Sequence, residues 1–319
     1  MNQFLCRGAA GRLSRVSVTA ALLGLAALAH PAWSWATDSE CGRVYLANTQ
    51  NELLRLRRTA EIFEAIAEFS GGRNRSVAVR DRTFISGLAD GETLVGIDFR
   101  PATGMLYGVG RIGGSGAGQL YTIDPKSASA TAVGARTIPL LGTAFGVDFN
   151  PVPDLLRIVS DAGQNIRVRP ADGIVAGTDT NVAYPAMGDP NATRLARVVA
   201  VAYTNPDGDA QTNTVLHDID VNRAADADRD GDVLAIQVPP NGGVLNTVGN
   251  LGIDADDLVA FDIGPDNEAL AAILRVGSAS SQLYFIDLPS GNAVDLGPIG
   301  KGELIVGLAI QLGPQCVRR

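Results

Sequence analysis

Four aspartates alternate along one short segment, Asp226-Ala-Asp228-Arg-Asp230-Gly-Asp232. This order is typical of the first half of a calcium loop, in which alternate carboxylates face one side of a tight turn and the glycine permits that turn. An EF-hand would place a bidentate glutamate at the twelfth position, where this chain has Gln237. The segment therefore predicts either a calcium-binding hairpin or a solvated polar loop.

A second set of aspartates shares a local motif, in which a small residue and an apolar residue precede Asp98, Asp148 and Asp262. If the three strands line one channel, the carboxylates could ring its mouth and hold a cation. Alternatively, each carboxylate accepts backbone hydrogen bonds from the turn that follows it. Two related strands have Ala202 and Ala309 at the matching position, and these gaps in the ring favour the structural interpretation.

The combinations of residues that common enzymes use for catalysis do not occur in the sequence, so no catalytic residue is assigned. His217 is the one histidine after the first 36 residues, and neither a Gly-x-Ser-x-Gly nor a His-Glu-x-x-His motif occurs. Gly108-Val-Gly-Arg-Ile-Gly113 matches a dinucleotide pattern as a string. A Gly-Ser loop follows it where a helix would have to hold the pyrophosphate, so no nucleotide cofactor is expected.

Residues 1–36 have the pattern of a secretory signal peptide, with early arginines, an apolar run from Val16 to Ala29 and the small-x-small sequence Ser34-Trp-Ala36. We expect cleavage between Ala36 and Thr37 and a secreted or periplasmic protein. No later run reaches the about 20 apolar residues that a membrane-spanning helix needs.

Charge and cysteine content fit this prediction. The chain has 26 basic and 34 acidic residues, and removal of a leader that holds three of the basic ones leaves a net charge of −11. Such an acidic chain is unsuited to nucleic-acid binding. Cys41 and Cys316 lie near the two ends of the remaining chain, and in an oxidising compartment we expect them to form a disulfide. Closing so long a loop is worth roughly 4 to 5 kcal/mol.

A unit of four short strands recurs along the chain. In the repeat 94–134 the strands are 94–99, 105–109, 119–123 and 130–133, each rich in β-branched and aromatic residues and separated by turn residues. Further copies cover 144–177, 198–249 and 258–297. The segment 44–88 lacks the first strand of a unit, and 304–310 supplies one strand.

Such complementary ends are typical of the closure of a β-propeller. The sequence therefore predicts an all-β fold, a propeller-like ring of about five four-stranded antiparallel blades in which the N- and C-terminal strands share one blade. Residues 37–319 would form a single domain. Residues 59–72 predict a short helical insertion, flanked by arginines at 55, 57, 58, 73, 75, 80 and 82, and this basic region is either a solvated face or a partner-docking surface.

Four segments resemble the exported bacterial domain-of-unknown-function family 4394. They are Gly91-Glu-Thr-Leu-Val-Gly-Ile-Asp-Phe-Arg-Pro-Ala-Thr-Gly104, Gln119-Leu-Tyr-Thr-Ile-Asp-Pro125, Gly142-Thr-Ala-Phe-Gly-Val-Asp-Phe-Asn-Pro151 and Arg157-Ile-Val-Ser-Asp-Ala-Gly-Gln-Asn-Ile-Arg167. The resemblance implies a propeller-like exported domain without an assigned activity, so it assigns no catalytic residue.

Two functions are compatible with these observations. The first is a non-catalytic exported module that presents loops to a protein or glycan partner and uses Ca²⁺ to stiffen one hairpin. The alternative is a calcium-dependent hydrolase or lyase at the channel mouth, in which the metal activates water and Asp98 or Asp148 acts as the base.

Overall fold

The computed structural model describes residues 41–68, 76–207, 209, 211–221 and 232–312, with side chains for all of these except 65–68. The predicted signal peptide with its cleavage site lies outside the described residues. So do three aspartates of the predicted calcium loop, Asp226, Asp228 and Asp230, and the predicted disulfide partner Cys316.

The described residues form 20 β-strands in five antiparallel four-stranded sheets. Blade 1 comprises β20 (Ile305–Ile310), β1 (Arg43–Asn48), β2 (Glu52–Arg58) and β3 (Asp81–Phe84). Blade 2 comprises β4 (Glu92–Arg100), β5 (Met105–Ile112), β6 (Ala117–Asp124) and β7 (Ser129–Pro139). Blade 3 comprises β8 (Phe145–Asn150), β9 (Leu155–Ser160), β10 (Asn165–Val168) and β11 (Val175–Thr178). Blade 4 comprises β12 (Val198–Tyr203), β13 (Leu216–Asp220), β14 (Val233–Gln237) and β15 (Leu245–Asn250). Blade 5 comprises β16 (Ala255–Ile263), β17 (Ala269–Arg275), β18 (Ser281–Ile286) and β19 (Ala293–Pro298).

The five inner strands, β20, β4, β8, β12 and β16, contact one another in this order and close a ring. In blade 1 the last strand pairs with the first, from Val44 opposite Ile310 to Asn48 opposite Ile305. The predicted five-bladed propeller, with chain ends that share a blade, is therefore confirmed.

The apolar core lies between the blades. Successive residues of a strand face opposite sides of the sheet, so each blade can pack against both of its neighbours. In blade 2, Leu106 packs toward blade 1 in a cluster with Leu53, whereas the adjacent Tyr107 packs toward blade 3 in a cluster with Phe149. Five such clusters of buried side chains occupy the five spaces between adjacent blades of the described ring.

Helix α1 (Thr59–Glu68) follows β2 directly, in the segment where the sequence predicts a helix, and a short 3-10 helix spans Pro240–Gly242. Ile62 of α1 is buried in the cluster between blades 1 and 5. The described helices lack the length and apolar character that crossing a membrane requires.

The inner strands approach one another so closely that three of them carry glycine next to the axis, at Gly96, Gly146 and Gly307. A Cβ atom on Gly146 would lie 2.5 Å from the backbone nitrogen of Val201 and 2.7 Å from the carbonyl carbon of Ala200. Both atoms belong to the neighbouring inner strand, which cannot move away without opening the ring. At Gly146 the absence of a side chain is therefore a packing requirement.

We predict that Gly146→Ala lowers the free energy of unfolding by about 1–3 kcal/mol, because the added methyl overpacks a rigid backbone contact. Gly116→Ala is the matched control, because a Cβ atom there meets no atom within 4 Å. Urea unfolding followed by far-UV circular dichroism measures both variants. Equal stability of the two variants would contradict the role of the glycine.

Candidate metal centre

Three inner strands bring aspartates together in the channel, with Asp98 on β4, Asp148 on β8 and Asp262 on β16. One carboxylate oxygen from each residue lies within 4.8 Å of the other two. The side chains are buried, and the exposed fractions of the residues are only 3%, 5% and 5%. The structure thus assembles the second set of aspartates that the sequence singled out.

Each carboxylate also accepts a backbone hydrogen bond from the next blade. The N–H groups of Phe149, Tyr203 and Ile310 donate to the Oδ2 atoms of Asp98, Asp148 and Asp262, at 2.7, 2.5 and 2.6 Å respectively. The structural interpretation placed the donors in the turn that follows each aspartate. The structure places them on the neighbouring inner strand, so the aspartates join adjacent blades.

The two blades without an aspartate explain a second set of bonds. Ala202 and Ala309 offer no carboxylate to the amides of Ile263 and Phe99 on the following blades. The N–H of Ile263 donates instead to Asp262 on its own strand, at 2.6 Å, and the backbone amide of Phe99 acts to lower the pKa of Asp98 on its own strand. Buried backbone donors need an acceptor, and the aspartates supply it for the amides of Phe149, Tyr203, Ile310 and Ile263.

Burial and mutual repulsion raise the pKa values of the three carboxyl groups. Desolvation raises the pKa of Asp98 to about 6, although hydrogen bonds from Asp148 and from backbone amides act in the opposite direction. The pKa of Asp148 lies well above its usual value because of desolvation and the nearby charges of Asp98 and Asp262. Desolvation and the charge of Asp98 likewise raise the pKa of Asp262. The cluster therefore favours either bound protons or a cation.

The spacing of the oxygens fits one metal ion. Two oxygens that bind the same Ca²⁺ at 2.3–2.6 Å lie at most about 5 Å apart, and the three carboxylate oxygens satisfy this limit. The adjoining part of the channel is a cavity of about 10 Å³, lined by all five inner strands, which is room for about one water molecule. The triad could hold a metal ion.

Asp232 is the one aspartate of the predicted calcium loop that the structure describes, and its hydrogen bonds are structural. It is buried, and its Oδ2 accepts a hydrogen bond of 2.6 Å from the N–H of Ala255 at the start of β16. Its backbone carbonyl accepts the N–H of Leu251 at 2.9 Å. Asp232 therefore joins blades 4 and 5, and calcium binding by the rest of the loop stays a prediction.

Sequence reasoning did not identify Arg157 of β9 as a buried residue. Its guanidinium donates to the Tyr203 hydroxyl at 2.6 Å, to Asp179 at 3.0 Å and to Asn241 at 2.7 Å, and it is 1% exposed. The bonds to Tyr203 and Asn241 fasten blade 3 to blade 4. The sequence feature that could have indicated its burial is its position between apolar residues of the strand. An arginine at such a position can face the next blade if that blade offers polar partners.

The raised pKa values predict how metal-free stability depends on pH. Groups whose pKa is higher in the folded than in the unfolded state stabilise the fold fully below the unfolded pKa, about 4 for aspartate. This stability is lost as the pH rises through the folded pKa, which is about 6 for Asp98. We therefore expect the melting temperature in chelator to fall from pH 4 to 8, and Asp148→Asn to reduce the fall because it removes one of the three charges.

Asp90→Asn is the control, because Asp90 is exposed. Burial lowers the pKa of His217 to about 4, which changes stability in the opposite direction but equally in both variants. Melting curves at several pH values in chelator measure the difference. The same pH dependence in Asp148→Asn and Asp90→Asn would show that ionisation of the aspartate cluster does not control the stability of the fold.

Comparison with solved structures found similar chains at low identity. A "putative 6-phosphogluconolactonase" from Bacteroides uniformis is 14% identical with a TM-score of 0.36, over 83% of this chain and 72% of that chain. A protein from Lactobacillus plantarum is 14% identical with a TM-score of 0.39, over 84% and 71%. The calcium-binding protein regucalcin from Agrobacterium tumefaciens is 14% identical with a TM-score of 0.33, over 66% and 58%. None of these values supports a transfer of function.

A comparison with curated proteins found no match. The sequence pattern of a family described as "Domain of unknown function (DUF4394)" matches residues 70–309, which is more than half of the 319 residues. This range contains four of the five inner strands, and it ends at Ala309 within the fifth. The resemblance seen in the sequence motifs is confirmed: the chain belongs to the DUF4394 family.

Proposed function

We propose that this protein is an exported, non-catalytic binding module whose inner strands are fastened by a calcium ion in the channel. Its outer loops would then be held rigidly for a protein or glycan partner. The observation that carries the proposal is the convergence of three buried carboxylates, each hydrogen-bonded to the next blade, within 4.8 Å of one another.

Charge supports a divalent ion at this position. Two ionised carboxylates whose oxygens lie no more than 4.8 Å apart repel by at least roughly 3 to 4 kcal/mol at an effective dielectric constant of about 20. A divalent cation among three such groups offsets this repulsion and replaces the protons that the raised pKa values otherwise favour. Carboxylate oxygens are the ligands that Ca²⁺ prefers, and water can complete its shell. An acidic chain, with a net charge of −8, also attracts cations.

The dimensions of the channel favour binding over catalysis there. A hydrolase or lyase at the triad would have to bring its substrate to water on the metal. The three aspartates are buried, and the adjoining cavity of about 10 Å³ is far smaller than the roughly 300–1,000 Å³ of ligand pockets. We therefore assign the ion a structural role, in which it holds the blades together.

The chain ends support the proposed disulfide of an exported protein. The N–H of Gly42 donates to the carbonyl of Gln311 at 3.0 Å, and the N–H of Gln311 donates to the carbonyl of Arg43 at 2.7 Å. Cys41 therefore lies beside the strand from which the chain continues toward Cys316, and a bridge between them would lock the pairing of β1 with β20.

We predict that Ca²⁺ raises the melting temperature of the wild type and not that of Asp148→Asn. An ion that binds only the folded state at about 100 times its Kd adds about 2.7 kcal/mol, which corresponds to a rise of about 4–5 °C for a domain of this size. Differential scanning fluorimetry in CaCl₂, in MgCl₂ and in chelator measures the effect.

Asp228→Ala serves as the control, because it removes a carboxylate of the predicted loop and leaves the triad intact. If the rise persists in Asp148→Asn but disappears in Asp228→Ala, the ion lies in the loop and the assignment to the channel is wrong. A wild type that melts at the same temperature with calcium and with chelator would also contradict the proposal.

For the chain ends, we expect the exported protein to have an intact mass lower than that of the reduced form by two hydrogen atoms. A reducing agent should lower its stability by about 2–5 kcal/mol, because the cross-link restricts the unfolded chain. Cys41→Ser should already show the reduced stability and should not respond to the reducing agent. A wild type with two alkylatable thiols would refute the bridge.

A further inference from the structure

Blade 1 carries a basic cleft on the surface of an otherwise acidic protein. The cleft has a volume of about 360 Å³ and is lined by Arg43, Arg55, Arg57, Glu61, Arg80 and Asp81. Four guanidinium groups thus surround it with two carboxylates, in a chain whose net charge is −8. This cleft lies apart from the acidic triad, on a different part of the fold.

Strand pairing assembles the arginines. Arg55 and Arg57 are two residues apart on β2 and therefore share one face of the sheet. Arg43 comes from β1, where it lies opposite Arg58. Arg80 precedes β3, and its N–H donates to the carbonyl of Arg55 at 2.7 Å. Three neighbouring chain segments therefore place positive charge around one opening.

The carboxylates of the cleft do not balance this charge. Asp81 forms an ion pair with Arg55. Glu61 pairs at 2.6 Å with Arg58, which does not line the cleft. Within the described part of the chain, neither Arg57 nor Arg80 has a carboxylate at ion-pair distance. Two of the four lining guanidinium groups are therefore available to a ligand.

The electrostatic field inside the cleft favours anions. The pKa of Glu61 is lowered first by its hydrogen bond to Arg58 and further by the charges of Arg58, Arg57 and Arg43. In addition, the Nε atom of Arg55 is buried and has no hydrogen-bond partner among the described groups. A movement of the side chain that exposed this donor to a bound oxyanion would give it a partner.

We propose that this cleft binds a small organic polyanion, a molecule with at least two carboxylate or phosphate groups. Guanidinium groups bind both kinds of oxyanion through paired N–H donors and stay charged at all physiological pH values. A volume of about 360 Å³ lies within the range of pockets for organic ligands, so the site has room for more than one inorganic ion. Two available guanidinium groups match a ligand with two charges.

The test uses two probes, citrate for carboxylates and pyrophosphate for phosphates, in isothermal titration at constant ionic strength. Calcium-free protein is used, because both probes bind Ca²⁺. We expect saturable binding of one or both probes with one site per chain. The Arg57→Gln/Arg80→Gln double variant should bind about tenfold more weakly or worse, because it loses charge-assisted hydrogen bonds. The control Lys126→Gln/Arg169→Gln removes the same charge from exposed turns of blades 2 and 3 and should stay within about twofold.

Asp148→Asn is titrated in parallel to keep this test separate from that of the calcium site. Binding that persists in Asp148→Asn and is lost in Arg57→Gln/Arg80→Gln supports the cleft, whether or not the channel binds calcium. Binding of citrate alone identifies carboxylates as the ligand groups, and binding of pyrophosphate alone identifies phosphates. The absence of saturable binding for both probes, or equal weakening in the two double variants, would overturn the proposal, provided that all variants melt at similar temperatures.

Discussion

The fold depends on how five edge strands can meet around one axis. The inner strand of each blade pairs on one side only, so its other side presents N–H groups that need an acceptor. The adjoining part of the channel is a cavity of about 10 Å³, which leaves little space for water. Side chains must therefore supply the acceptors, and Asp98, Asp148 and Asp262 do so across the spaces between blades.

The use of aspartates as acceptors has an electrostatic consequence. Carboxylates that reach the neighbouring strands from a narrow axis must also approach one another, and their burial raises their pKa values. A ring of five aspartates would bring two more charges to the same place. The chain instead has Ala202 and Ala309 at two positions, and the amide of Ile263, which faces the gap at Ala202, bonds to Asp262 on its own strand. Three carboxylates thus accept hydrogen bonds from four amides, and one divalent ion would balance two of their three charges.

The sequence predicted the blades and their closure because both follow from local features, namely strand periodicity, turn residues and the complementary ends. It also placed the three aspartates on equivalent strands. It could not identify their donors, because the relative height of adjacent blades is not encoded in any one repeat. Arg157 was missed for a related reason, since its partners Tyr203 and Asn241 lie on the next blade. The basic cleft could not be predicted from the sequence either, because it forms only when β1, β2 and the segment before β3 lie side by side.

The channel and the basic cleft suit ligands of opposite charge, a cation in the channel and an anion in the cleft. Cations are attracted by the acidic chain as a whole, whereas anions are repelled until they come near the cleft. At physiological ionic strength this repulsion is screened beyond about 8 Å, so the guanidinium groups dominate only at short range. A ligand with one negative charge would gain little there over its hydration. A ligand with two oxyanion groups can engage Arg57 and Arg80 together, and this second contact offsets the larger repulsion that the acidic surroundings exert on a polyanion.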